Sequence, residues 1–324
     1  MPPKVTVGLP VYNGERHLEA AIRSILGQTF TDLELVITDN ASTDATGEIC
    51  RDYALLDERV RYHRQDVNVG CRGNFHLAFG LGAGGEYFKW AGHDDQVEPT
   101  YLARCVAHLD AHPSDVLCTS RVRMVDGEGR TVDGAPEPAT FHDRSPHLRM
   151  RALFAVPATY QTIFGVIRRS SLAATHLFGP WYASDRALQI ELSLQGGFGL
   201  VPDRLFVSRE HAGRGDYVDD KVAWYTPERA GSPEAGYWHH LWWVSRALAT
   251  APLSPGDRAL CTAELTRRAS GKAGEWLPIL ARQAAATAVS HAGPWARLRG
   301  RRPEPAAYRN MYSNRPWPSS PSTV

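Results

Sequence analysis

The chain has 324 residues, is 43% hydrophobic and 22% charged, and carries a formal net charge of +1. This is the profile of an ordinary globular protein with room for one large or two ordinary domains, and it offers no global electrostatic case for nucleic acid. Five cysteines (Cys50, Cys71, Cys105, Cys118 and Cys261), odd in number and without a CxxC pair, argue against a disulfide framework or zinc site and suit a reducing cytoplasm. No run of 18 apolar residues predicts a transmembrane helix, and Met1-Pro-Pro-Lys4 leads straight into a strand, so no signal peptide is expected.

Val5-Thr-Val-Gly-Leu9 is a β-branched run that stops at Pro10 and predicts the first strand; Val11-Tyr-Asn-Gly14 carries turn chemistry. Leu18, Ala21, Ile22, Ile25 and Leu26 then repeat at helical spacing on one apolar face. Leu33–Thr38 reads as a second strand running into Asp39-Asn-Ala-Ser-Thr-Asp44. A helical segment with Ile49, Tyr53 and Leu56 and a strand over Val60–His63 follow. Strand and helix alternating in this way predict a right-handed parallel βαβ sheet.

Tyr87 to Ala91 reads as a short buried strand that ends at Gly92 and two adjacent carboxylates, Asp94 and Asp95. Pro99 then opens a helix with Leu102, Cys105, Val106 and Leu109 on its apolar face. Carboxylates after a strand and before a helix lie at the carboxyl edge of a sheet, where ligands bind in open α/β folds. Two hard oxygen ligands there suit Mg²⁺ or Mn²⁺, with water and substrate phosphates completing the shell. The alternative is a solvated turn whose Asp residues cap the helix. Strands one, two and four deliver Tyr12, Asp39 and the Asp94–Asp95 pair to one edge.

At this point the residues resemble a known family. PVYNGERHLEAAIRSILGQTFTDLELVITDNASTD is similar to the opening of family 2 glycosyltransferases, whose pattern runs P-x-Y-N-x-E, S-I-L-x-Q-T and D-D-x-S-x-D. Asn68-Val-Gly70 with Arg72 and Asn74 resembles the next block, and Gly92-His-Asp-Asp-Gln96 stands where the family has its metal-binding DxD-type motif. The similarity is close over about residues 4 to 110 and looser to about 211. Two departures stand out: Asn40 replaces the second acid after strand two, and Gly92 replaces the first Asp of a D-x-D-D pattern.

The resemblance implies a GT-A fold: α/β, a Rossmann-like and mostly parallel central sheet flanked by helices. It divides the chain to about residue 215 into a nucleotide-sugar-binding half (1–110) and an acceptor-binding half (111–215); beyond it, the residue pattern predicts a C-terminal helical extension (216–300), and the proline- and serine-rich composition a disordered tail (301–324). It implies inverting transfer of a sugar from a nucleoside diphosphate, UDP or dTDP by default, to a hydroxyl acceptor that is a glycan, a lipid-linked chain or a small molecule. Pro10, Tyr12, Glu15, Asp39, Arg72 and Asp94 fall on nucleotide-binding positions. Asp94, Asp95 and His211 fall on metal-binding ones, the last through Arg209-Glu-His211 and its likeness to Y-R-x-H. For Tyr12 and Asp39 the alternative is loop structure, with Asp39 and Ser42 bonding their own backbone.

In the second half, Asp115–Ser120 predicts a strand, Val122–Val132 a hairpin, 134–146 a loop and Arg149–Ala155 a short helix. Gln161–Ile167 predicts another strand, with a helix from near Ser170. A further helix starts near Ser184, and the resemblance makes its Asp185 the general base, since inverting transfer needs a carboxylate to take the acceptor's proton. Ordinary capping by Ser184 and a dipole-favoured first-turn acid explain the same residues. Gly199–Asp203 and Leu205–Ser208 resemble the family's closing strands.

Beyond about residue 216 the resemblance fades. Helices are predicted near 236–248, 254–270 and 273–291; Tyr237, Trp238, Trp242 and Trp243 read as core or as a sugar-stacking surface. Trp295 to Arg302 is basic and aromatic, which fits either a solvated end or peripheral contact with anionic lipid. Competing readings of the whole chain are a nucleotide-sugar-binding scaffold and a nucleotidyltransferase, although Tyr12-Asn-Gly-Glu15 is not a basic phosphate loop. No GxGxxG follows the first strand, which disfavours a dinucleotide oxidoreductase.

Overall fold

A computed structural model of the chain describes residues 2–135, 137–155, 160–180, 184–210 and 236–271. Strands β1 (Val5–Val11), β2 (Leu33–Asp39), β3 (Val60–Arg64) and β4 (Tyr87–Trp90) alternate with helices α1 (Leu18–Leu26), α2 (Thr46–Leu56) and α3 (Gly70–Leu81). Strand β5 (Gln96–Val97), helix α4 (Tyr101–Ala111), strands β6 (Asp115–Val125) and β7 (Thr131–Val132), and helix α5 (Pro146–Ala155) follow. A 3₁₀ turn over Tyr160–Phe164 leads to β8 (Val166–Arg168), α6 (Arg169–Ala173), α7 (Ser184–Gln195) and β9 (Gly197–Arg209). Helices α8 (Gly236–Thr250) and α9 (Pro255–Gly271) close the described chain.

The strands form one sheet in the order β3-β2-β1-β4-β8-β6-β9-β5, with β7 paired to β6 outside that path. β1 lies parallel to β2 and β4, and β2 parallel to β3. β8 runs antiparallel between β4 and β6, while β6 and β9 are parallel. Every residue of β1 and β2 is buried, as expected for parallel strands covered on both faces. α1 covers one face with Leu18, Ala21, Ile22 and Ile25. Phe88 and Trp90 of β4 point to the other face, into a core shared with α5, α7, α8 and α9. Among the described residues, no helix is long and apolar enough to cross a membrane.

Three elements differ from expectation. Gln161–Ile167 is not one strand, because the Phe164 carbonyl accepts from the Lys89 ammonium at 2.6 Å and the Tyr101 hydroxyl at 3.3 Å. Its backbone therefore turns into the core, and pairing begins only at Val166. The closing segment is a single strand, β9, whose pairing with β6 slips between Val201 and Arg204, where Pro202 has no N–H to donate. α3 was not legible because its buried face is Gly70, Asn74 and Ala78, right for helical spacing but too small to read as an apolar stripe. The expected helix at 273–291, the basic 295–302 segment and the 301–324 tail lie outside the described residues.

α7 is unusual in being enclosed almost all round. From Ser184 to Leu194 every residue is buried except Asp185, which is largely but not fully buried. α5, α6, α8, β6 and the 3₁₀ turn pack against it. Of its buried polar groups, Glu191 accepts from the His176 backbone N–H at 2.9 Å and lies 3.0 Å from its Nδ1, and Ser193 donates to the Ile190 carbonyl. Arg246 of α8 reaches the other ring nitrogen of His176 at 3.2 Å. Of the α8 aromatics, Trp243 lies against His176, whereas Trp242 is 55% exposed and stacks with Arg246. The side chains of Tyr237 and Trp238 lie outside the described residues.

Candidate active site

The loops after β1 and β2 are stitched into one floor. Asn13 and Ala41 both adopt positive φ, 48° and 61°, which bends each loop back on itself. The Asn13 N–H donates to Ser42 Oγ, the Gly14 N–H to Thr46 Oγ1, and the Glu15 N–H to Asp44 Oδ2. In return the Thr43 N–H donates to Asn13 Oδ1 and the Ala45 N–H to Glu15 Oε2, both at 2.8 Å. Glu15 therefore builds the loop, and Pro10 holds the strand register opposite Thr38. Gly14 has no room for a side chain: a Cβ there would lie 2.6 Å from Val11 Cγ2 and 2.8 Å from His93 Cδ2. The first loop thus rests directly on the segment that follows β4.

Asp39 ends β2 fully buried. Its Oδ1 accepts from the Ser42 N–H at 2.8 Å; its Oδ2 accepts from the Tyr62 hydroxyl at 2.8 Å and Arg64 Nη1 at 2.6 Å. The register places Arg64 opposite Asp39, so the pair follows from strand alignment. Burial, then the bond to Asp39, push the Tyr62 hydroxyl up to about 12. Asn40, the departure from the acid pair, donates to Asn68 and accepts from the Val69 N–H, tying β2 to the start of α3. Tyr12 is half-buried at the mouth of this floor. Arg64→Met is expected to lower the urea-unfolding midpoint, because a buried carboxylate loses a charged partner. Asp39→Asn in the same chain should return part of the loss. Additive losses would show that the pair is not coupled.

At the end of β4 the two carboxylates face one point. A Cβ at Gly92 would lie 3.0 Å from Asp94 Oδ1 and 3.1 Å from Asp95 Oδ2. Glycine leaves that point open, so the departure at Gly92 makes room between two hard oxygen donors. Asp95 is 5% exposed and its Oδ1 accepts from the backbone N–H of Arg209, the last residue of β9. Arg209 in turn donates from Nη1 to the carbonyls of Asp126 and Gly127 in the β6–β7 turn. Two converging carboxylates fit a divalent cation that takes its remaining ligands from water and a diphosphate. Among the described residues no group of three or more His, Cys, Asp or Glu side chains is arranged to hold a metal, and His211 lies outside them.

The second half brings α7 and α3 together. Asp185 is the acid of the first turn of α7, and burial pushes its carboxyl above the ordinary aspartate range despite the opposing charge of Arg186. Its charge is felt by Cys71 in the first turn of α3. Arg72, expected at the nucleotide, donates from Nε to the Phe178 carbonyl at 3.0 Å, and His76 Nε2 meets the same oxygen at 3.0 Å. Arg72 therefore joins α3 to the segment before α7. Arg186 donates to the Leu153 carbonyl and is buried, so it is not a surface residue.

A family model described as Glycosyl transferase family 2 matches residues 6–174, more than half of the chain. The chain belongs to glycosyl transferase family 2. Glycosyltransferase GlyA of Streptococcus pneumoniae is 30% identical over 126 residues, 39% of this chain and 18% of that protein. A glycosyltransferase of Haemophilus influenzae is 29% identical over 221 residues, 64% of this chain and 66% of its own. The chain thus spans from a fifth to two thirds of these two relatives. Residues 1–349 of S. aureus TarS share the fold with a TM-score of 0.61 at 18% identity, covering 84% of this chain and 74% of that one. The same protein was solved with UDP and with UDP-GlcNAc. A mannosyltransferase from Pyrobaculum calidifontis, solved with GDP-Man and Mn²⁺, aligns with a TM-score of 0.50 at 21% identity.

The mixed α/β sheet was expected from the sequence and is present. Sequence reading missed Tyr62 and Arg64 as partners of Asp39. The alternation of Tyr62 and Arg64 along a strand parallel to β2 was the available signal. It also missed the Arg209 N–H on Asp95, for which a backbone donor leaves no signal at all.

Proposed function

We propose that this family 2 chain transfers a sugar from a nucleoside diphosphate sugar to a hydroxyl acceptor with inversion at the anomeric carbon. The observation that carries the reading is the convergence of Asp94 and Asp95 on the open point at Gly92. That point lies beside the floor made by the β1 and β2 loops, which His93 contacts at Gly14. The UDP, UDP-GlcNAc and GDP-Man complexes of proteins with this fold support a nucleotide donor.

In this reading Tyr12 and Asp39 receive the base and ribose, Pro10 and Glu15 shape their loop, and Arg64 adds a half-exposed guanidinium beside Asp39. Arg72 borders the donor from α3. Asp94 and Asp95 would hold Mg²⁺ or Mn²⁺, with His211 as a further ligand. When bound, such an ion supplies Lewis-acid stabilisation of the charge that develops on the departing diphosphate. Asp185 takes the proton from the acceptor hydroxyl while that oxygen forms its bond to the anomeric carbon. The bond from that carbon to the diphosphate oxygen breaks on the opposite face, and its electron pair leaves with the diphosphate. A carboxyl raised above the ordinary range is a better base near neutral pH than an exposed one. The donor is assigned to UDP- or dTDP-sugars, and the acceptor site to the α7 side.

A thermal-shift screen of UDP, dTDP and GDP, with and without Mn²⁺, tests the donor site. One nucleotide at about 100 times its dissociation constant should stabilise the chain by roughly 2.7 kcal/mol, and only with the metal. No shift with any of them would return Asp94 and Asp95 to ordinary turn residues and favour the scaffold reading.

A further inference from the structure

Every residue of β4 is buried, yet one of them, Lys89, is a lysine only 1% exposed. Its ammonium donates to two carbonyls, Trp90 O at 2.9 Å and Phe164 O at 2.6 Å. The rings of Tyr101 and Phe206 face it at 5.1 and 5.2 Å. The Tyr101 hydroxyl donates to the same Phe164 oxygen. The two carbonyls belong to different parts of the site. Trp90 is the last residue of β4, just before Gly92 and the acid pair; Phe164 ends the 3₁₀ turn that packs on α7, whose first turn carries Asp185.

We propose that Lys89 is a positioning residue, a buried staple that sets the end of β4 and its acid pair against the helix start bearing Asp185. The role in turnover rests on the transfer reading above; the joining of the two segments does not. Stability is a poor explanation for this lysine. Burial pushes its ammonium down to about 7 from 10.5. A lysine lowered in this way binds fewer protons in the folded than in the unfolded chain between those values, so it lowers stability at neutral pH, and the loss fades only as pH rises toward 10.5. Buried charges replaced by apolar residues of similar volume are often neutral or stabilising. What methionine cannot do is hold two carbonyls from two segments at one point.

Hydrogen exchange on the full chain, wild type against Lys89→Met, tests this without needing a substrate. Exchange at 160–168 and 184–188 should speed up by about tenfold or more while 33–66 stays unchanged. The melting temperature should stay level or rise. Tyr101→Phe, which removes the second donor to the same carbonyl, should give a smaller rise in the same peptides. In parallel, Lys89→Met should bind UDP with Mn²⁺ within about threefold of wild type, and release UDP from UDP-GlcNAc at least about tenfold more slowly. Unchanged exchange at 160–168 and 184–188 would overturn the proposal, as would a general loss of protection with a lower melting temperature, or a Lys89→Met chain that fails to fold while Tyr101→Phe exchanges normally. If wild type binds neither UDP nor GDP, the transfer reading fails, and the exchange data still decide whether Lys89 joins the two segments.

Discussion

Asp185→Asn is expected to lower turnover by about 10²- to 10⁴-fold, the range for loss of a general base. Nucleotide binding should be unchanged, and the variant should melt no lower than wild type at pH 7. The last clause separates the two explanations of this residue. If Asp185 serves only as a first-turn acid favoured by the helix dipole, neutralising it should lose about 0.3–1 kcal/mol. The proposed role predicts the opposite sign, because burial outweighs the Arg186 charge and the backbone N–H groups and raises the carboxyl above the ordinary aspartate value of 3.8. The sign follows from linkage. Below 3.8 the group is neutral in both folded and unfolded chains and contributes nothing. As pH rises the unfolded chain ionises first, so folding loses stability until the folded carboxyl has also ionised. At pH 7 the wild type carries this penalty and asparagine carries none. The same shift should appear in the rate: kcat/KM should fall on acidification through a midpoint above the ordinary aspartate range. A lower melting temperature with undiminished turnover would assign Asp185 to capping alone.

The parts of this chain written in strong periodicity were legible. The α1 stripe of Leu18, Ala21, Ile22 and Ile25 and the uniformly apolar β1 and β2 left few alternatives to a buried parallel sheet. Asp39, Asp94 and Asp95 were legible as site candidates because each follows a strand. What the sequence left out is how these groups are held. Asp39 is fixed by Tyr62 and Arg64 across a strand boundary, and Asp95 by a backbone N–H 114 residues away. Contacts of that range depend on register, which a linear pattern does not record. The 3₁₀ turn at 160–164 escaped notice for a related reason. Gln161, Thr162, Ile163 and Phe164 have the composition of a strand, but the backbone is turned inward by Lys89 and Tyr101, whose positions are known only once β4 and α4 have packed. α3 was invisible because glycine, asparagine and alanine pack it closely against β1 and β2 without an apolar signature.

The acid pair should divide its labour under mutation. Asp94→Ala is expected to abolish metal-dependent nucleotide binding, weakening Mn²⁺ by at least about 100-fold, since even outer-shell changes at metal sites reach that range. Its folding stability should change little, because Asp94 is half-exposed. Asp95→Ala should lose the same binding and also about 1–3 kcal/mol of stability. The extra loss arises because Asp95 is buried and its Oδ1 is the acceptor for the Arg209 N–H, which would be left unpaired at the end of β9. Asp95→Asn distinguishes the two losses. An amide oxygen at the Oδ1 position still accepts from Arg209, so urea unfolding should return toward wild type. The amide nitrogen at the other position carries no charge and donates rather than accepts, so Mn²⁺ affinity, read by electron paramagnetic resonance of the free ion, should stay low. In the proposed reading the half-exposed carboxylate would act on the metal alone, and the buried one on both metal and fold. Wild-type Mn²⁺-dependent binding in both alanine variants would remove the acid pair from the site.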